Sequence, residues 1–522
     1  MQNKCIIDNA FIEDTGFIHI IEWLSSHCNC EENQIYFKNL TPIYDIDKLN
    51  SELHQTDGLF KSLLKKNLLI ETKIKNLSQS ISSMNIRDYF IDANNFSEIR
   101  KMLNYHIILK KYFKNEDLKE WDDIGLDTKE THLIINEIDK IIDKNMNIKS
   151  NASKEFKKIN KLIEETESKI ETKISYELKK YISLGYLRDN KTVFRSGKIL
   201  LPVNTSNKNK VKGVIDSFSS TGQTCFIQPI SLVELSNKMN ELISDKNKEI
   251  IKILIKLTTD ISLKRNFIKR IYNLIKYYDI HHTIASLGII TNSKKPNFGD
   301  EIILKEAKNP LFILNKKQYI PLNISIKKNN KAIIISGPNS GGKTIIIKSI
   351  GLYSVMAQCG LYIPSKQANL RIFKSFLSDI GDKQSLSDDL STFSAHMKEI
   401  SHIITISDKH SLIIIDEMGT GTDPDIGASL SIAILNKLTE KGALSLCTTH
   451  LTPLKIWAND HHNAINGSME FDNKKIEPTF TFQMGMPGSS YGIEIAQRMG
   501  INKKIIKDAS SNLNKESFKM ET

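Results

Sequence analysis

The sequence predicts a multidomain chain in which a helical N-terminal region, a long helical arm with a small β element, and a C-terminal α/β domain follow one another. Three observations carry this reading. Apolar residues keep helical spacing through 133–185 and again from 235 to 274; residues 192–227 between them switch to a strand-like composition; and beyond 295 short β-rich runs alternate with helical stretches.

Between about 10 and 125 the pattern is mostly helical, with Ile18, Ile21 and Leu24 on one face. Pro42 and the run Asp92-Ala93-Asn94-Asn95 interrupt it, and residues 1–130 are expected to form a helical core. From 133 to 185, Ile159, Ile163, Ile170, Ile174, Leu178 and Ile182 recur at i+4 and i+7 with Lys and Glu between them. That is an amphipathic stripe close to a coiled coil. Residues 192–227 are rich in Val, Phe, Ile and Thr and punctuated by Gly197, Gly213 and Gly222, which predicts short antiparallel strands. A helix out, a β element at about 188–230 and a helix back describe an arm with a tip across 131–290. A plain helical bundle with an appended hairpin is the alternative. Strand-like runs at 332–336, 412–415 and 444–448 alternate with helical stretches at 344–358 and 425–441, so 295–500 is expected to be an α/β domain with a mostly parallel sheet. Residues 501–522 would be a tail.

The 72 Lys plus Arg exceed the 60 Asp plus Glu, giving a net charge of +12. Such a balance favours polyanionic partners such as nucleic acid, although an A·T-rich coding sequence enriches Lys, Asn and Ile together without any binding role. Six cysteines, at 5, 28, 30, 225, 359 and 447, are too dispersed for a disulfide framework. His27, Cys28 and Cys30 cluster without a second ligand pair at zinc-site spacing. No export signal and no membrane-spanning run is visible, so a cytoplasmic chain without a membrane partner is expected.

The chemistry concentrates after residue 331. Ala332 to Ser336 reads as a buried strand, Gly337-Pro338-Asn339-Ser340-Gly341-Gly342-Lys343-Thr344 follows, and a helical run begins at Ile345. This is the G-x-x-x-x-G-K-[ST] pattern in strand–loop–helix context. Its glycines let backbone N–H groups wrap phosphate oxygens, and the helix N-terminus adds its dipole. Lys343 would reach the β- and γ-phosphates and Thr344 would ligate Mg²⁺. Leu412 to Ile415 is a second buried strand ending in Asp416, placed for the Mg²⁺ shell, and Glu417, placed as general base for a lytic water. A third strand ends in Thr449-His450, where the imidazole can meet the γ-phosphate or the water. Leu390-Ser391-Thr392-Phe393-Ser394 precedes a helical run; its hydroxyls are either an N-cap or an anion site offered to a nucleotide on another subunit. Together these predict nucleotide hydrolysis.

The strings 337–344, Asp-Ile-Gly-Asp-Lys-Gln-Ser (379–385), Leu-Ser-Thr-Phe-Ser-Ala-His-Met (390–397), Asp-Glu-Met-Gly-Thr-Gly-Thr-Asp-Pro (416–424) and Thr-Thr-His (448–450) resemble the ATPase domain of MutS proteins in order and spacing. Upstream, Lys210-Val211-Lys212-Gly213-Val214, Ser219 to Thr224 and Gln228-Pro229 are similar to the MutS-two branch, associated with suppressing recombination and rescuing stalled ribosomes. The resemblance implies a helical core with a long helical lever and a small β clamp, followed by a C-terminal α/β P-loop (ABC-type) ATPase domain. It implies a homodimer with two composite ATP sites, each joining 337–344, Asp416, Glu417 and His450 of one subunit to Ser391 and Thr392 of the other. Thr420, Gly421, Thr422 and Asp423 would cross the interface, and clamp residues Lys208, Lys210 and Lys212 would meet phosphates of double-stranded DNA. Those three lysines could equally be a solvated hairpin face.

Departures from the family pattern matter too. Phe96-Ser97-Glu98 matches the wedge that stacks on a mispaired base, but it lies in a helical run after Asn95, a candidate cap, and Phe96 is expected in the core. The branch continues past the ATPase into an Smr nuclease domain; this chain reaches 30 residues beyond the Gly485–Gly492 string, so that activity is not expected from it. Gln228 stands where the branch carries Glu, and Asn309 replaces the family's His before Pro310. The expected function is an ATP-dependent, MutS-type DNA-binding protein of repair or recombination control, whose hydrolysis drives a dimeric clamp on mismatched or branched DNA. The alternative is a ribosome-associated ATPase that splits or clears collided ribosomes.

Overall fold

The computed structural model describes residues 5–65, 72–124, 127–195, 197–338, 341–380, 389–472, 477–488, 496, 500–502, 504–509 and 511, with backbone alone at 124 and 389–392. By contacts it divides into two units, residues 1–73 with 276–522, and residues 74–275. The cuts fall at 73/74 and 275/276, whereas the sequence reading places boundaries at 130/131 and 290/295.

The first unit is built on a seven-stranded sheet. Its strands are β1 (Ile6–Ile7), β9 (Ala332–Ser336), β11 (Ser375–Asp379), β12 (Ser411–Ile415), β13 (Leu444–Thr448), β14 (Ala464–Asp472) and β15 (Glu477–Met484), in the order β1-β11-β12-β13-β9-β14-β15. All neighbours are parallel except β14 and β15. Strands β9, β12 and β13 are buried at every residue, as a parallel sheet covered on both faces requires, and β9 and β12 so read as apolar runs rather than alternation, while β13 also buries Ser445 and Thr448. The faces still separate by the period of two. Ile333, Ile335, Leu412 and Ile414 join one core with Ile346, Ile347, Ile350 and Phe11, while Ile334, Ile413 and Ile415 join another with Ile403, Leu435 and Leu438. β1 pairs with β11 through Ile6 and Ser375, and Ser378 Oγ donates to the Asp14 carboxylate at 2.6 Å, which ties the first residues of the chain to this sheet. A second sheet, β6 (Asn297–Phe298), β7 (Ile302–Ala307), β8 (Leu322–Ile326) and β10 (Gln367–Leu370), runs in the order β6-β10-β7-β8. Cys28 and Cys30 are buried beside Asp279, whose carboxylate accepts from the N–H groups of Asn29 and Cys30 and from Asn33 Nδ2 at 2.8–2.9 Å.

In the second unit, the helix Ala93–Asn115 is capped by Asp92, which accepts from Asn95 N–H at 2.7 Å, so Asp92 rather than Asn95 is the cap. Phe96 is fully buried on this helix. The helical stretch read at 133–185 is two helices, Thr128–Ile141 and Lys154–Ser183. The Asp143 carboxylate accepts from the N–H groups of Asn145 and Asn147, forming a local turn that competes with the helix. Ser153 then caps the second helix through Phe156 N–H. A β element of β2 (Val193–Arg195), β3 (Lys198–Asn204), β4 (Gly213–Phe218) and β5 (Thr224–Pro229) follows, antiparallel throughout in the order β2-β3-β5-β4. Tyr181, Leu201, Val203, Val211, Cys225 and Ile227 form its core, and the helix Ile230–Ser262 leads away. Gln228 is buried, and its amide donates to Ser236 Oγ at 3.2 Å, which satisfies the neutral side chain there.

Candidate functional site

At the carboxyl end of β9 the backbone takes φ values of 136° at Gly337 and 89° at Gly342, which L side chains rarely adopt, before the helix Lys343–Gln358 begins. Lys343, the first residue of that helix, is only 4% exposed, and its ammonium donates to the carbonyls of Gly337 at 2.9 Å and Pro338 at 3.1 Å. His450 Nε2 lies 3.2 Å from the same nitrogen. Burial pulls the Lys343 pKa down, and the Glu417 and Asp416 carboxylates oppose the fall.

β12 delivers Asp416 beside this loop. One carboxylate oxygen accepts from Thr344 Oγ1 at 2.8 Å, and the other accepts from Thr448 Oγ1. Thr448 Oγ1 also accepts from Glu417 N–H at 2.8 Å, which holds Glu417 at a φ of 48°, a left-handed conformation for a non-glycine residue. The strand order explains the convergence. β13 lies between β9 and β12, so the residues that follow it, Thr449 and His450, emerge between the loop and the acidic pair.

Past Glu417 the chain turns through Gly419, whose backbone packs against Gly427 on the helix Pro424–Glu440; a Cβ on Gly427 would stand 2.2 Å from Gly419 O. Gly427→Ala must displace a backbone carbonyl rather than a side-chain tip. It is expected to lower stability by about 1–3 kcal/mol, measured as a fall in denaturant midpoint at constant slope.

His450 sits below its ordinary value of 6.5 because burial and then the Lys343 and Lys455 ammoniums disfavour the imidazolium, with Asp416 opposing. Its neutral Nε2 accepts from Lys343. The unfolded chain binds the extra proton more readily, so stability rises with pH between the folded value and 6.5 and is complete above it. Acidification through that window is expected to slow phosphate release, because a protonated imidazole no longer offers an acceptor lone pair, and His450→Gln to flatten this limb of the pH profile.

Sequence reasoning assigned no role to several neighbours that complete the site. The Asp379 carbonyl accepts from Asp416 N–H at 3.0 Å, and its buried carboxylate faces His396 Nδ1 at 3.0 Å. His396 lies on the helix Asp389–Ile406, which carries Ser391 and Thr392. Ser336 Oγ accepts from Gly488 N–H at 2.8 Å, and Lys455 Nζ donates to Gly488 O at 2.9 Å, fastening the chain after β15 against the end of β9. Asp379, His396 and Thr448 all stood inside the quoted strings; what was missing was a partner for each. Beside Gly341 and Gly342 opens a cavity of about 290 Å³ lined by Phe312, Tyr319, Ile345, Met469 and Phe480. Asn309 is buried and structural, capping the helix Pro310–Leu314 through Leu311 N–H and donating to Ser349 Oγ at 3.0 Å.

Asn339, Ser340 and residues 381–388 and 489–492 lie outside the described residues, as do the side chains of Ser391 and Thr392. In the other unit, Lys208, Lys210 and Lys212 follow one another along the segment between β3 and β4. Lys208 Nζ stands 5.7 Å from the Phe218 ring centre and Lys210 Nζ 5.4 Å from that of Tyr186. Among the described residues no helix is long and apolar enough to cross a membrane.

Fold and site together define a multidomain chain of helices and mixed sheets whose main sheet carries a phosphate-loop sequence beside an acidic strand end. Residues 333–516 match the model of MutS domain V. The endonuclease MutS2 of Thermotoga maritima is 34% identical over 79% of this chain and 54% of its own length. Those of Agathobacter rectalis and Caldicellulosiruptor bescii are each 31% identical over 96% of this chain and 64% of their own. The chain belongs to the MutS family, on its MutS2 branch. It spans between half and two thirds of the length of these relatives.

Proposed function

We propose that this protein binds and hydrolyses ATP with Mg²⁺ and uses the cycle to change its grip on double-stranded DNA. One observation carries the reading: Thr344, in the first turn of the helix that follows β9, and Asp416, just past the end of β12, meet at 2.8 Å beside a glycine loop that holds Lys343 against His450. Two hard oxygens so placed suit Mg²⁺, which takes one or two protein oxygens and keeps waters for the rest. When bound, the ion neutralises charge on the β- and γ-phosphates. Gly337 to Thr344, with Asn339 and Ser340 among them, cradle the triphosphate. The aromatic cavity beside Gly342, with Phe312 and Tyr319, receives the base. Lys343 leaves its loop carbonyls for phosphate oxygens, Glu417 accepts a proton from the attacking water, and His450 orients that water as a neutral acceptor.

In the same reading Ser391 and Thr392 serve the nucleotide of a second subunit in a homodimer. Residues 1–130 form the helical core, 131–290 the lever with its β clamp, 295–500 the P-loop ATPase domain and 501–522 a tail. Lys208, Lys210 and Lys212 contact DNA phosphates without reading sequence. Removing each lysine is then expected to reduce the slope of log affinity against log salt by about one, checked by DNA binding across a salt series. Phosphate release measured with homoduplex, mismatched and four-way-junction DNA, and with ribosomes, tests the whole. Stimulation by junction or mismatched DNA supports it; stimulation by ribosomes alone sinks the DNA assignment and leaves the ATP site standing.

A further inference from the structure

We infer that the first unit carries a second anion site, directed at a phosphate monoester, at the opposite end of the main sheet from the phosphate loop. β9 begins at Ala332, β12 at Ser411 and β13 at Leu444, and the residues that lead into these strands line one cavity of about 660 Å³. Four cations face it, Lys328, Lys331, Arg371 and Lys409, with the imidazole of His410 beside them. The single acid in the lining, Asp300, is engaged by Lys328 at 2.7 Å. Among the described residues no carboxylate lies within ion-pair distance of Lys331, Arg371 or Lys409.

The positive charge is clustered and only partly offset: Lys328 pairs with Asp300, and the Asp300 and Glu301 carboxylates act on Arg371 from beyond ion-pair distance. The Arg371 guanidinium donates to the carbonyls of Ile326 at 3.4 Å, Asn330 at 3.5 Å and Lys327, and its Nε is buried with no partner. Carbonyl dipoles compensate a full charge weakly, and a buried cation gains most from a charge-assisted bond to an oxyanion. Lys331 is pushed below the ordinary lysine range by burial, then by Arg371 and Lys328, with Asp300 alone opposing. A bound dianion relieves that repulsion. The carbonyl end of the helix Asp389–Ile406 does not compete for these groups, because Lys441 Nζ already donates to the carbonyls of Ile404 and Ser407, and that of the helix Pro424–Glu440 is met by the backbone N–H groups of Lys441, Gly442 and Ala443.

The shape fixes the class further. Phe373 and Leu444 are buried beneath the cations, and the rings of Tyr44 and His410 meet edge to face at 5.8 Å on one wall. The volume lies within the range of small-ligand pockets and exceeds what a bare phosphate fills. Cations around an apolar, partly aromatic floor suit a phosphate monoester on an organic body, supplied either by a free nucleoside monophosphate or by the 5′-phosphate of a nucleic-acid strand.

The test uses the full chain in a Lys343→Ala background, so that the phosphate loop contributes little and contributes equally to every arm. Binding of inorganic phosphate, adenosine 5′-monophosphate, and a short duplex with or without a 5′-phosphate is measured by calorimetry before and after Lys331→Gln combined with Lys409→Gln. Arg371, which also clasps the 326–330 turn, is left in place so that the fold is kept. The expected result is a loss of affinity of about tenfold per cation removed for at least one phosphorylated probe. A loss with adenosine monophosphate identifies a free ligand, and a loss confined to the 5′-phosphorylated duplex identifies a strand end. Unchanged affinity for every probe, in a double variant with an unaltered denaturant midpoint, overturns the proposal. Lys331→Arg, which keeps the charge, should restore binding; failure of that rescue also counts against a phosphate contact.

Discussion

Lys343→Ala is expected to lower ATP turnover by about 10²–10³-fold, the cost of losing one preorganised donor at a site of developing charge. The effect is large because the ammonium is already buried at the loop and has only to exchange carbonyl partners for phosphate oxygens. Lys343 is 4% exposed, pinned by the carbonyls of Gly337 and Pro338 and within 3.2 Å of His450. A phosphate oxygen entering the loop therefore meets a donor whose desolvation occurred on folding. That origin also predicts what the variant spares. Burial lowers the Lys343 pKa, so the folded state disfavours the charged form, and deleting the charge removes a penalty rather than a support. The denaturant midpoint should stay level or rise while phosphate release falls. Full turnover in this variant would remove the site assignment.

Much of this site was legible in the sequence, and the reason is local. The run from Gly337 to Thr344 and the strand end at Asp416 are contiguous, and each announces its geometry through glycines or through acids that follow an apolar run. Strands β9 and β12 could likewise be read because burial on both faces forces the apolar runs Ala332–Ile335 and Leu412–Ile415. What lay beyond reach depends on partners far apart in the chain. Thr448 donates to Asp416 and accepts from Glu417 N–H, and no spacing rule links residue 448 to 416. Asp379 and His396 meet only because β11 and the helix Asp389–Ile406 are brought together in space. Ser336 and Gly488 are separated by 152 positions. The break at 142–153 escaped for a different reason: the Asp143 side chain bonds the N–H groups of Asn145 and Asn147, Met146 turns left-handed, and Ile142 bridges Ile148, pairings that the helical spacing on either side does not announce.

Glu417→Gln should separate binding from chemistry. The side chain follows a backbone held at φ 48° by its own N–H bond to Thr448 Oγ1, and Gln keeps that bond and that shape. The variant loses only the ability to accept a proton, so turnover is expected to fall about 10²–10⁴-fold with nucleotide affinity little changed. Asp416 is the control that discriminates, since its carboxylate joins Thr344 to Thr448. Asp416→Asn weakens the oxygen pair proposed for Mg²⁺ and should depress affinity and turnover together. Measured side by side, Glu417→Gln should move kcat and leave the binding constant, whereas Asp416→Asn should move both. Should Glu417→Gln retain turnover within a few-fold of the unmodified chain, the general base lies elsewhere in the site, and His450, 3.2 Å from Lys343 and neutral, becomes the residue to replace next.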